Sequence, residues 1–153
     1  MDAPHNAAEA AEQCTALSKL LEDRRDDAET FARLRDRFAA MYHEHQSYAT
    51  LHDEVINLGS EDRRKAKVRT WPLPADAKQE GGRLCTAMGL EGVVPSTVGD
   101  LEWLRDRASS MADSWSAKAY DAKAELSSWQ TVASMVKSEM ELSGTPRLRA
   151  VGE

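Results

Sequence analysis

Isoleucine is almost missing from this chain: among 153 residues it occurs once, at Ile56. The densest β-branched cluster, Val93-Val94 through Val98, sits among glycine and proline. Without β-branched runs a sheet has little to pack its pleated faces, so extensive β-structure is excluded. Aromatics are scarce at 6%. Cys14 and Cys85 are the only cysteines and lie far apart without a CxxC spacing. That excludes a disulfide scaffold and reads as two free thiols in a reducing compartment, with a disulfide or a reactive thiol as the alternatives. No stretch approaches the roughly 18 apolar residues of a membrane span. The opening Met1-Asp2-Ala3-Pro4-His5-Asn6 has neither the basic flank nor the apolar core of a signal peptide. The expected compartment is the cytoplasm, or the nucleus in a eukaryotic cell.

Also missing are the patterns that mark common enzyme sites. GxSxG, a P-loop and a dinucleotide fingerprint do not occur, and Gly81, Gly82, Gly89 and Gly92 neither follow a strand nor precede GK[ST]. The expectation is a protein that is not an enzyme and carries no cofactor.

What is present is helix-forming. Ala, Glu, Lys, Arg, Leu and Met dominate, residues that lose little side-chain entropy in a helix. Asn6 and Glu9 have the spacing of a capping box. From there a seam with alternating steps of three and four runs through Leu17, Leu20, Arg24, Asp27, Phe31, Leu34, Phe38, Met41, His45, Tyr48, His52 and Val55. Asn57-Leu58-Gly59 reads as a glycine stop, which predicts a first long helix over 7–58. A second seam runs Leu101, Leu104, Ala108, Met111, Trp115 and, after a slip in phase, Ala122, Leu126, Trp129, Ala133, Val136, Met140. Thr97 with Asp100 resembles a capping box at its start, and Ser143-Gly144-Thr145-Pro146 ends it. This predicts a second long helix over 96–143 and a frayed tail over 144–153.

Between them, 59–95 reads as a connecting module. Ser60-Glu61-Asp62 caps a short helix toward Lys67, Trp71-Pro72-Leu73-Pro74 is extended, and a further short helix fits around 83–88. The expected fold is one all-α domain: two long antiparallel helices, a coiled-coil-like hairpin, joined by an irregular segment with short helices. Helices this long, about 1.5 Å per residue, leave apolar stripes wider than one seam needs. Dimerisation into a four-helix assembly, or capture of a partner's helices, would cover them. The interface candidates are Phe31, Leu34, Phe38, Met41, Tyr48, Val55, Leu101, Leu104, Met111, Trp115, Trp129 and Val136. Trp103 falls off the second seam, either beneath the connecting segment or on a partner surface; Trp71 is a further surface candidate, or pins the linker.

Charge is uneven. The chain carries −6 overall, with −6 in residues 1–60, +2 in 61–95 and −2 in 96–153. An acidic body disfavours general coating of nucleic acid. Arg63, Arg64, Lys65, Lys67 and Arg69 form a dense basic run beside Trp71. It is either a solvated helix balanced by nearby acids or an anion site for phosphate or nucleic acid. An acidic inhibitor of a basic nucleic-acid machine is also compatible with the net charge. His45 and His52 are seven residues apart, whereas a helical metal pair wants three or four. They read as polar seam residues, with an ion shared across a dimer or a pH-sensitive interface as alternatives. The leading expectation is a non-enzymatic interaction module, a scaffold, adaptor or assembly subunit, whose partners are proteins and not membranes.

Overall fold

The computed structural model describes residues 7–144, with side chains as far as 139. Among the described residues the chain is all-helical: α1 (Ala7–Thr50), α2 (Asp53–Ile56), α3 (Glu61–Arg69), α4 (Ala75–Ala87) and α5 (Val98–Gly144). The two long helices, of 44 and 47 residues, pack on each other. Contacts divide the chain into two units, residues 27–114 and residues 1–26 with 115–153.

The unit of residues 27–114 holds the larger core. Leu34, Phe38, Met41 and Ala49 of α1 meet Leu101, Leu104 and Ala108 of α5 in one buried cluster. The intervening segment covers it with Val55, Val68, Leu73, Ala77, Cys85 and Met88. Burial of each large side chain contributes about 1.5–3 kcal/mol, so this cluster is what offsets the entropy cost of ordering the short helices.

α1 is shorter than its expected span. It stops at Thr50, where Leu51 N–H and His52 N–H bond back three residues to Tyr48 and Ala49 carbonyls, tightening the last turn. His52 is extended (φ −74°, ψ 142°) and caps α2, its Nδ1 accepting from Glu54 N–H. Val55 therefore belongs to α2 and buries by this change of direction. Gly59 is not the expected left-handed stop; Asn57 ends α2 in right-handed conformation, and positive φ occurs at Gly89 and Gly92 instead. The inner seat predicted for Tyr48 is taken by Ala49, and Tyr48 is exposed. Asp27 is likewise exposed and Ala28 half-buried in its place.

The connecting module follows its sequence signals more closely. Ser60 Oγ accepts from Arg63 N–H at 3.2 Å and caps α3. Residues 71–74 are extended and make one antiparallel bridge to the start of α5: Leu73 N–H donates to Ser96 O at 2.9 Å and Val98 N–H to Trp71 O at 3.0 Å. α4 runs over 75–87 rather than 83–88, passing through Gly81-Gly82 without breaking. Ala77, Gly81 and Cys85 form its buried face, so packing outweighs the low helix propensity of glycine. α4 ends in a Schellman turn, with Gly89 at φ 84°, Leu90 N–H donating to Cys85 O and Gly89 N–H to Thr86 O.

α5 begins at Val98, one or two residues after the expected start, and its cap is the predicted one. Thr97 Oγ1 accepts from Asp100 N–H at 3.3 Å, while Asp100 Oδ2 accepts from Thr97 N–H at 3.1 Å and Ser96 N–H at 2.8 Å. Burial pushes the Asp100 carboxyl up, but the hydrogen bonds from Ser96 and Thr97 hold it below the ordinary carboxylate range.

The unit of residues 1–26 with 115–153 is a two-helix contact. Leu17 and Leu21 bury with Ala119, Ala122, Leu126 and Trp129, and Cys14 packs at the margin. The slip in the α5 seam lies nearer the start of the helix than expected. Buried or half-buried positions fall at Leu101, Leu104, Ala108, Ala112, Trp115, Ala119, Ala122, Leu126 and Trp129, steps of three and four that alternate except for two successive fours from Leu104 through Ala108 to Ala112; between Trp115 and Ala122 the phase is kept. Asn6, the side chain of Met140 and the tail from Thr145 onward lie outside the described residues.

Candidate functional site

The basic run does not act as one patch. α3 turns about 100° per residue, which separates its bases into two groups. Arg64, Lys65 and Arg69 lie toward the side of buried Val68, while Arg63 and Lys67 project outward. The inner three, with Glu61 and Val68, form one wall of a cleft of about 470 Å³. Tyr42, Gln46 and Thr50 supply the opposite wall from α1, Glu102 comes from α5, and Val55 from α2. Behind this lining Val55 is fully buried and Val68 nearly so.

The cleft's charges are largely paired within it. Lys65 Nζ lies 3.3 Å from Glu61 Oε1, and Arg69 Nε 3.8 Å from Glu102 Oε1. Tyr42 OH donates to Glu102 Oε2 at 2.8 Å, and the Arg105 guanidinium stands 4.9 Å over the Tyr42 ring. Burial, and then the bond to Glu102, push the Tyr42 phenol above its ordinary value, since both disfavour the phenolate. Arg64 is the exception. It is half-buried while the other bases of the run are exposed, and Nη1 donates to Leu58 O at 2.9 Å. No carboxylate pairs with it among the described residues.

A second, smaller cleft of about 280 Å³ in the same unit is bordered by Arg37, Glu44, His45, Glu80 and Arg83. Arg37 is ion-paired to Glu80 across it. His45 is half-buried here, whereas His52 is exposed and its ring meets that of Trp71 at 4.6 Å. Among the described residues no group of three or more His, Cys, Asp and Glu side chains could hold a metal ion.

Most interface candidates are enclosed by their own chain. Phe38, Val55, Leu101 and Leu104 have essentially no exposed surface, and Leu34, Met41 and Trp129 have little. The short helices and the opposing long helix cover them, which leaves these side chains nothing to offer a second molecule. Phe31, Met111, Trp115 and Val136 are half-buried, the Trp115 ring carrying Lys118 Nζ at 4.2 Å. Tyr48 is open to solvent, near exposed Leu51 and Ile56 in sequence. Trp71 is half-buried and packs on the core, as a linker pin would. Trp103 is 55% exposed, with the Arg107 guanidinium 5.7 Å over its ring.

Tyr42 and Glu102 escaped the sequence reading as site residues. The strip Tyr42, Gln46, Thr50, each four residues on, was the available signal: a polar line down one side of an otherwise apolar seam.

Among the described residues, no helix is long and apolar enough to cross a membrane. No family model matches the chain, and neither the curated proteins nor the solved structures contain a match.

Proposed function

We infer that this chain is a non-enzymatic interaction module that docks a protein partner on the outward face of α5. The observation that carries the reading is Trp103. A tryptophan left 55% exposed places a large apolar ring in water. Its helix is fixed from behind, because Leu101, Leu104 and Ala108 are buried in the core. Arg107 one turn on holds the ring by a cation–π contact. Trp and Arg on a rigid backbone are the residues most enriched where interfaces concentrate their binding energy, and such an anchor is worth about 2 kcal/mol or more. The partner is either a second copy of the chain or another helical protein.

Replacing residue 103 with a photo-crosslinking amino acid in cells tests this, with a second probe at exposed Glu125 as reference. The expected result is a discrete adduct from position 103 that is absent from position 125. Light scattering of the purified chain, with and without Trp103→Ala, then tells a homodimer from a hetero-complex. Equal crosslinking from both positions, or none from 103, overturns the reading.

Binding of a polyanion through the basic run is the weaker reading. Two of the five bases are engaged by Glu61 and Glu102, and Arg64 turns inward. Only Arg63 and Lys67 are left facing outward, and two cations make a small contribution to phosphate binding.

A further inference from the structure

The geometry points to the cleft between α1 and α3 as a binding site for a small organic monoanion, a carboxylate with a short apolar body. The charge balance of its lining supplies the sign. Lys65 is matched by Glu61 and Arg69 by Glu102, so each acid in the cleft already has a cation. Arg64 adds one further positive charge with no acid opposite it among the described residues. One negative charge would neutralise the site; two would meet Glu61 and Glu102 at close range.

The form of the cation supplies the group. A guanidinium presents five N–H donors in a planar fork suited to a carboxylate. One nitrogen of Arg64 is committed to Leu58 O at 2.9 Å, which fixes the side chain's direction and leaves the other donors for a ligand. Because Arg64 is half-buried, its charge is less screened by solvent than that of its exposed neighbours. Lys65 lies next to it on the same wall and reinforces the field.

The Tyr42 ring supplies contact for the body. It is half-buried and lines the cleft opposite the α3 wall, whereas Val55, with no exposed surface, and Val68, with little, lie behind the lining. A volume of about 470 Å³ is within the range of small-molecule sites and well above that of an inorganic ion. Apolar contact with the Tyr42 ring and a fixed cation on the α3 wall select an amphiphilic anion over a bare one.

The test uses the full chain and three probes of equal length, hexanoate, hexanol and hexylamine, titrated while the amide resonances of Thr50, Val55 and Val68 are followed. Hexanoate is expected to shift them saturably, with hexanol and hexylamine weaker by about tenfold or more, the loss expected of a charge-assisted hydrogen bond. Arg64→Gln should abolish that preference while the circular dichroism spectrum stays unchanged. If Arg64→Gln loosens the fold, Lys65→Glu replaces it: the side chain is exposed, so the change reverses charge in the cleft without touching the core. It too should weaken hexanoate by about tenfold. Absence of saturable shifts, equal binding of hexanol, or hexanoate affinity unchanged in a folded Arg64→Gln or in Lys65→Glu would each overturn the proposal.

Discussion

Gly81 of α4 lies directly beneath the ring of Pro95: a Cβ placed on this glycine would overlap the proline Cγ and Cδ. Pro95 is itself fully buried and cannot yield. Gly81→Ala therefore sets helix propensity, worth about 1 kcal/mol in favour of alanine, against overpacking of about 1–3 kcal/mol. Overpacking should win, with a net loss of up to about 2 kcal/mol in urea unfolding. Gly82→Ala is the contrasting case. Its new methyl would meet only the Val94 side chain, Cγ2 at 3.3 Å and Cγ1 at 3.9 Å, and Val94 is 56% exposed and free to turn away. There the propensity should dominate and stability rise by about 0.5–1 kcal/mol.

Asp100 links stability to pH. Its carboxylate accepts from Ser96 and Thr97, and its folded value lies below the ordinary one. A group depressed in this way stabilises the fold above its unfolded value and ceases to as pH falls through the folded value. Asp100→Ala should cost about 1 kcal/mol near neutrality, the worth of a helix cap. Repeated at pH values falling through the folded value, as the wild-type carboxyl also becomes protonated, the difference between the two proteins should shrink toward zero. A penalty that stays constant with pH would mean that the side chain acts by packing alone.

Part of this fold is legible in the sequence, and the rest is hidden for identifiable reasons. Hydrophobic periodicity over many turns revealed both long helices and the seam residues Leu34, Phe38, Leu101 and Leu104, because only an amphipathic helix sustains a 3.6-residue period for so long. Thr97 with Asp100 and Ser60 worked as caps because those bonds are local. The slip in α5 falls at Ala108–Ala112 rather than after Trp115, a displacement that comes from passing over Ala112 and Ala119; small residues carry a weak hydrophobic signal but bury where helices approach closely. The same held at Ala49, which displaced Tyr48. Gly81-Gly82 looked like a break because the approach of Pro95 is not a local property of the sequence. The α1–α3 cleft was half legible. Its bases were visible as a run, but their separation by helix phase and their pairing with Glu102 depend on tertiary structure.

Phe38 and Trp103 should respond in opposite ways to truncation. Phe38 is fully enclosed by the core of its unit, so Phe38→Ala should remove about 3–5 kcal/mol of stability through lost transfer energy and a cavity. Trp103→Ala removes a ring that is mostly in water and should change stability by only about 0.5 kcal/mol. Under the proposed function it is the Trp103 variant, not a partly destabilised core variant kept folded by temperature, that loses its partner. Paired unfolding and crosslinking measurements on the two variants check both halves. A large stability loss at Trp103 would mean that its exposed face packs on something in the free chain.

The two thiols should differ in reactivity by their surroundings rather than by sequence context. Thiolate is the reacting species, and burial disfavours it. Cys85 sits at 0% exposure in the larger core, where burial pushes its thiol up. Cys14 is half-buried at the edge of the Leu17–Trp129 cluster. A disulfide-exchange reagent at neutral pH should modify Cys14 first, and Cys85 only as fast as its unit opens. Peptide mass spectrometry over time would resolve the two, and Cys14→Ser should remove the fast phase alone. Addition of urea below the unfolding midpoint should accelerate Cys85 far more than Cys14, because only the buried thiol has to wait for the core to open. Comparable rates for both in the folded protein would contradict the enclosure of Cys85, and with it the covering of the core by α4.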